Sequence, residues 1–226
     1  MIKVKRIPGV LYLDRSKALF YSDTKTKPQS VDFREDFIKD LEIKNTQGVL
    51  TQLKSFIETA KVGPMNLNLV LAPSMYFEKD LTANLSDESQ EEEAQKFLSA
   101  IPFDEVAGRV YKLKSGQKIV ATNKTLIYTL KSIFESLGFS VNSVLPIFVL
   151  GSSFTEKGFD IKAAEYVLRK RDTLREWSIT VNNNSEKINE STGTQSVSKN
   201  KRLIFLIFIF CASLVSLLAL LLMTVR

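Results

Sequence analysis

The sequence contains no histidine and only one cysteine, Cys211. Without histidine there is no imidazole general base, no Ser-His or Cys-His nucleophile pair, and no His-ligated catalytic zinc. A single cysteine excludes an intrachain disulfide framework and a Cys-rich metal site. Large charge imbalance is missing too: 31 Lys and Arg stand against 25 Asp and Glu. That modest basic excess is a weak basis for nucleic-acid binding, and no nucleic-acid partner is expected.

What the chain does have is one long apolar run. Residues 203–225 carry no charge, and their only clearly polar side chains are Ser213, Ser216 and Thr224. As a helix rising about 1.5 Å per residue the run reaches roughly 34 Å, against a hydrocarbon core of about 30 Å. The run therefore predicts a transmembrane helix at 203–225, with Cys211 as an inert small residue inside it. Lys199, Lys201 and Arg202 precede the run and Arg226 follows it. The positive-inside bias then places the N-terminal domain in the cytoplasm as a single-pass, C-terminally anchored protein. The segment from Met1 to Pro8 is basic without a long apolar core, so no signal peptide is expected. Asn84, Asn123, Asn183 and Asn189 begin glycosylation-like triplets that carry no weight for a cytoplasmic domain.

Residues 182–200 are rich in Asn, Ser, Thr and Lys, which reads as a flexible linker. The soluble α/β domain then occupies 1–181. Gly9–Asp14, Ala18–Tyr21 and Ser30–Phe33 predict an antiparallel three-stranded meander. Gly48–Lys61 places Val49, Leu50, Leu53, Phe56, Ile57 and Ala60 on one helical face. Asn66–Ala72 reads as an interior strand. Ser86–Ala100 reads as a helix whose acidic start suits its dipole, and its carboxylates as solvated rather than metal-binding. Val106–Leu113 and Lys118–Thr122 predict a hairpin. A helix capped by Thr122 or Asn123 and stopped at Gly138 leads into a strand, Phe139–Leu145. A last helix spans Asp160–Arg171, and Trp177–Val181 predicts a short closing strand. Arg169, Lys170, Arg171 and Arg175 form a basic group interleaved with Asp172 and Glu176, which fits a solvated helix face before contact with anionic lipid.

Three stretches together resemble the PilM/GspL group of actin-like assembly proteins from type IV pilus and type II secretion machines. They are Glu91–Phe103 (EEEAQKFLSAIPF), Ile119–Leu126 (IVATNKTL) and Ser136–Val141 (SLGFSV). Ile101-Pro102-Phe103 in its context is the most specific piece. The resemblance covers roughly residues 47–150 and implies a partial actin-like, ribonuclease-H-like domain with 73–113 as an inserted subdomain. It also implies inner-membrane platform proteins and a cytoplasmic assembly ATPase as partners, beside membrane lipid, with a homodimer compatible. Pro102 would fix a corner from which Ile101 and Phe103 either anchor a partner or pack the insertion.

The departures bear on activity. Where actin-like ATPases carry a Gly-containing phosphate loop, the turn here reads Asp14-Arg15-Ser16-Lys17, and Gly is what lets backbone N–H groups approach phosphate. About 36 residues between Leu145 and the linker are too few for a second nucleotide-binding lobe. No catalytic residue, cofactor or metal is therefore expected. The expected function is a non-catalytic scaffold or platform subunit in the inner membrane. The alternatives are a tail-anchored adaptor of another membrane process, or an actin-like nucleotide hydrolase using Asp14.

Overall fold

The computed structural model describes residues 6–22, 27–82, 86–113 and 116–179. The linker at 182–200, the apolar run at 203–225 and the basic start at 1–5 lie outside them. Among the described residues no helix is long and apolar enough to cross a membrane.

Strands β1 (Ile7–Leu13), β2 (Lys17–Ser22) and β3 (Gln29–Asp32) form the expected antiparallel meander. A short hairpin follows, β4 (Ile38–Lys39) with β5 (Glu42–Ile43), whose two-residue strands are too short to show an apolar alternation. Helix α1 (Thr46–Ala60) opens on Asn45, whose side chain accepts the Gly48 N–H at 2.8 Å. It closes on Lys61 in the left-handed conformation, with φ 51°. Then β6 (Met65–Leu71) runs parallel to β1.

Next come β7 (Phe77–Leu81), α2 (Asp87–Ser99), β8 (Val106–Leu113) and β9 (Gly116–Asn123). Helix α3 (Lys124–Ser136) is capped by the Asn123 side chain, and Gly138 at φ 89° turns the chain into β10 (Ser140–Pro146). The chain continues through α4 (Ser152–Lys157) and α5 (Ile161–Arg175).

The fold is mixed α/β. Five strands form the main sheet in the order β10-β6-β1-β2-β3, with β6 and β10 parallel to β1. Helices α1 and α3 cover one face, where Leu11, Phe20, Val31, Leu67, Leu69 and Val144 meet Val49, Leu53, Leu126, Leu130 and Phe134. Helix α5 covers the other through Ala164, Val167 and Leu174 against Val10, Val70 and Leu145. Because both faces are covered, β6 reads as a near-continuous apolar run rather than an alternating one. Its exceptions are Asn66, half-buried near its start, and Asn68, which is buried and satisfied: the Asn68 side chain donates to the Gly9 carbonyl at 3.4 Å and accepts from Ser143 Oγ at 2.8 Å.

The second sheet has the order β7-β9-β8, with α2 packed over Leu81, Ile119 and Val110. Its central strand comes from residues beyond 113. Leu98 of α2 sits against Gly108, where an added Cβ would stand 2.7 Å from Leu98 Cδ2. Strand β7 escapes sequence reading because four of its five residues are exposed, leaving no apolar alternation.

The expected closing strand after α5 is a correction. Glu176 and Trp177 form a turn, and 177–179 make no strand; 180–181 lie outside the described residues. The Ile179 N–H does reach the Val144 carbonyl at 2.8 Å, but the Val144 N–H goes to Ser178 Oγ, also at 2.8 Å. A side chain has taken the group that a ladder would need.

Candidate functional site

Three places bring functional side chains or open backbone to the surface: the turn after β1, the corner after α2, and the outer edge of the main sheet beside α1.

The turn Asp14–Lys17 sits at the carboxyl end of β1, the side of an open α/β sheet where ligands bind. Here it is stitched to the 3₁₀ turn Pro73–Met75 that follows β6. Asp14 Oδ1 accepts the Arg15 N–H at 2.7 Å and the Ser74 hydroxyl at 2.5 Å. Arg15 Nε donates to the Ser74 carbonyl at 3.0 Å, and the Ala72 N–H to the Leu13 carbonyl at 2.9 Å. Oδ1 thereby joins the turn after β1 to the turn after β6. Beside it, burial first and the Asp14 charge second push the Tyr12 phenol up to about 12, so Tyr12 stays neutral. Among the described residues no group of three or more Asp, Glu or Cys side chains gathers as a metal site.

At the corner after α2, Ile101 is buried, Pro102 is exposed and Phe103 is half-buried. The Ile101 N–H closes the helix onto the Leu98 carbonyl at 3.3 Å, and the Phe103 N–H returns to the Ile101 carbonyl at 2.9 Å around Pro102. Phe103 meets Phe77 edge to face, with ring centroids 5.9 Å apart. Phe77 is 38% exposed, so the pair presents aromatic surface at the edge of the insertion. Sequence reading singled out Ile101, Pro102 and Phe103 and missed Phe77, which carries no periodic signal.

The second sheet is tied to the rest of the domain by contacts distant in sequence, made by β8 and β9. Tyr111 donates its hydroxyl to the Trp177 carbonyl at 3.0 Å and stacks on the Trp177 ring. Arg109 Nη1 reaches the Ser178 carbonyl at 2.7 Å, Thr122 Oγ1 the Met75 carbonyl at 2.7 Å, and Asn123 Nδ2 the Leu41 carbonyl at 3.0 Å. Burial raises the Tyr111 phenol well above its ordinary value, keeping it a donor. On the far side of the insertion, Glu93 of α2 pairs with Lys79 of β7 at 2.8 Å and accepts the Thr82 N–H at 3.0 Å. The hydrogen bond from Lys79, then that from Thr82, holds the Glu93 carboxyl below the usual glutamate range.

At the third place, strand β3 ends the main sheet next to an open groove of about 860 Å³ against α1. Val31, Phe37 and Phe56 give it an apolar floor, and Thr51, Ser55 and Thr59 of α1 line its wall. The basic residues of α5 form no comparable surface. Exposed Lys162 and Arg169 alternate with exposed Glu165 and Asp172, a mixed-sign, solvated face.

No family model matches the chain, and no curated protein matches it by sequence. Among solved structures it is similar to the PilM-PilN type IV pilus biogenesis complex, at TM-score 0.43 and 11% identity over 63% of this chain and 47% of that one. It is similar to the cytoplasmic domain of EpsL, an inner membrane component of the type II secretion system of Vibrio cholerae, at TM-score 0.39 and 15% identity over 63% and 58%. A Bacteroides thetaiotaomicron protein of actin-like ATPase fold and unknown function gives TM-score 0.35 and 14% identity over 66% and 56%. The chain thus spans about half the length of the structures it matches. At these scores the likenesses carry no argument.

Proposed function

We propose that the chain is a non-catalytic, membrane-anchored scaffold or platform subunit of a type IV pilus or type II secretion-like assembly machine. The observation that carries the reading is the Asp14 turn. Its Oδ1 is held by Ser74 and by its own turn, at the carboxyl end of β1 where a nucleotide hydrolase would keep a phosphate loop. Two features support it. A meander followed by two strands parallel to β1, each preceded by a helix, is the arrangement of a ribonuclease-H-like half of an actin-like domain. The residues resembling PilM/GspL proteins include the 101–103 corner and the strand-to-helix passage at 119–126.

On this reading the domain binds proteins rather than transforming a substrate, and 203–225 holds it in the inner membrane with the domain in the cytoplasm. Its partners are inner-membrane platform proteins and a cytoplasmic assembly ATPase. The test is affinity purification of the tagged full chain from detergent-solubilised membranes, with mass spectrometry of what accompanies it. Pilus or secretion platform proteins and their ATPase are the expected companions; a reproducible set of trafficking or metabolic proteins in their place refutes the assignment. Carbonate extraction checks the anchor, since the full chain should stay with the membrane pellet.

A further inference from the structure

The strands' outer edges differ in how they are closed. At the β10 edge, Ser178 and Ile179 take both backbone groups of Val144. In the insertion, edge strand β7 carries exposed Glu78, Lys79 and Asp80, the charged guarding that deters strand addition. Strand β3 is closed only in part: Asp32 is its one exposed charge, and its other exposed residue is the uncharged Ser30. The Phe33 N–H donates to the Ser16 carbonyl at 2.7 Å, so residues 33, 31 and 29 face β2 and residues 30 and 32 face outward. The outward Asp32 carbonyl accepts Gln52 Nε2 at 2.6 Å, which agrees with that alternation. The N–H and C=O of Ser30 and the N–H of Asp32 have no partner among the described residues. The groove against α1 lies directly beside them.

We infer that β3 is a self-association edge, pairing antiparallel with β3 of a second copy of this chain. The sequence of the edge selects one two-fold register. With Val31 opposite Val31 of the second copy, Ser30 stands opposite Asp32, and the outward groups of each meet those of the other. The carbonyl of Asp32 has a second lone pair for the incoming N–H. One step away in one direction, Asp32 faces Asp32 of the second copy, and like charges directly opposite are destabilising. One step in the other direction, Asp32 faces Pro28, which has no N–H to give. Pairing in the favoured register also brings the two α1 helices to the same face of the joined sheet. There Thr51, Ser55 and Thr59, small and one turn apart, face the groove and let the helices approach. The inference does not depend on the proposed assembly role.

The test uses the full chain in mild detergent with Cys211→Ser, which removes the only native thiol. Paired residues of this kind have Cα atoms about 5.5 Å apart, within the range a disulfide spans. A mixture of Ser30→Cys and Asp32→Cys chains should cross-link on mild oxidation about tenfold faster than either alone. Separately, Ser30→Pro deletes only an outward donor and no bond to β2, so the fold should melt as before while sedimentation shows the dimer weakened about tenfold or more. A monomeric wild type, a dimer untouched by folded Ser30→Pro, or a mixture that cross-links no faster than the single variants overturns the inference. If Ser30→Pro fails to fold, the cross-linking comparison alone decides.

Discussion

Phe103→Ala separates packing from display at the corner after α2. Truncating a fully buried Phe typically costs about 3–5 kcal/mol. Phe103 is half-buried, which reduces that to about 2 kcal/mol, including part of an edge-to-face contact with Phe77 worth about 0.5–1.5 kcal/mol. For a domain of this size about 2 kcal/mol lowers the melting temperature by about 4–8 °C. Thermal melts of wild type, Phe103→Ala, Phe77→Ala and the double variant form a cycle. The ring pair should appear as a coupling of about 0.5–1.5 kcal/mol. A partner pull-down on the same proteins, corrected for the unfolded fraction, reads the other role. If Phe103→Ala leaves the melting temperature within about 1 °C of wild type, the packing reasoning fails and the ring is purely displayed. If it falls by about 10 °C or more with partner capture intact, the residue is core and the interface role is rejected.

Asp14→Ala should cost about 1–2 kcal/mol by leaving the Ser74 hydroxyl and the Arg15 N–H without their acceptor. Calorimetric titration with Mg-ATP should show no specific binding before or after the change; micromolar binding abolished by Asp14→Ala would instead favour a hydrolase. Gly108→Ala should cost less than about 1 kcal/mol, because its Cβ meets only the far end of half-buried Leu98, which can rotate away. A loss of about 2 kcal/mol or more in a thermal melt would show that Leu98 is held in place. The lowered pKa of Glu93 means that its contribution is present in full above the ordinary glutamate pKa and is lost as pH falls through its own, lower value. Glu93→Gln should therefore flatten the acid limb of a melting-temperature profile taken from about pH 6 down to pH 3, and an unchanged limb would contradict the assignment.

Much of the architecture is legible in local pattern. The 3.6-residue spacing of apolar side chains marks α1 and α3, the cap Asn123 and the stop at Gly138 bound α3, short apolar runs mark β1, β2, β6 and β10, and the alternation Ser30-Val31-Asp32-Phe33 marks β3; the cap Asn45, which starts α1 at Thr46 rather than Gly48, carries no such signal. These signals survive in sequence because each depends on residues within a turn or two of one another. The second sheet was only half visible. Its hairpin β8–β9 alternates, but β7 is mostly exposed and exists because β9 pairs with it across about 40 residues of chain.

The candidate sites divide in the same way. Residue types alone removed histidine chemistry and a Gly-containing phosphate loop at 14–17, and they placed the long uncharged run at 203–225. Tertiary structure alone decided that Asp14 is held by Ser74, that Phe103 has Phe77 as its neighbour, and that Tyr111 and Arg109 bind the carbonyls of Trp177 and Ser178. It alone left β3 on the edge beside a groove. Strand order is set by which runs bury each other's faces after the loops between them have closed, and that pairing is non-local; no spacing along the chain encodes which strand will be left outermost.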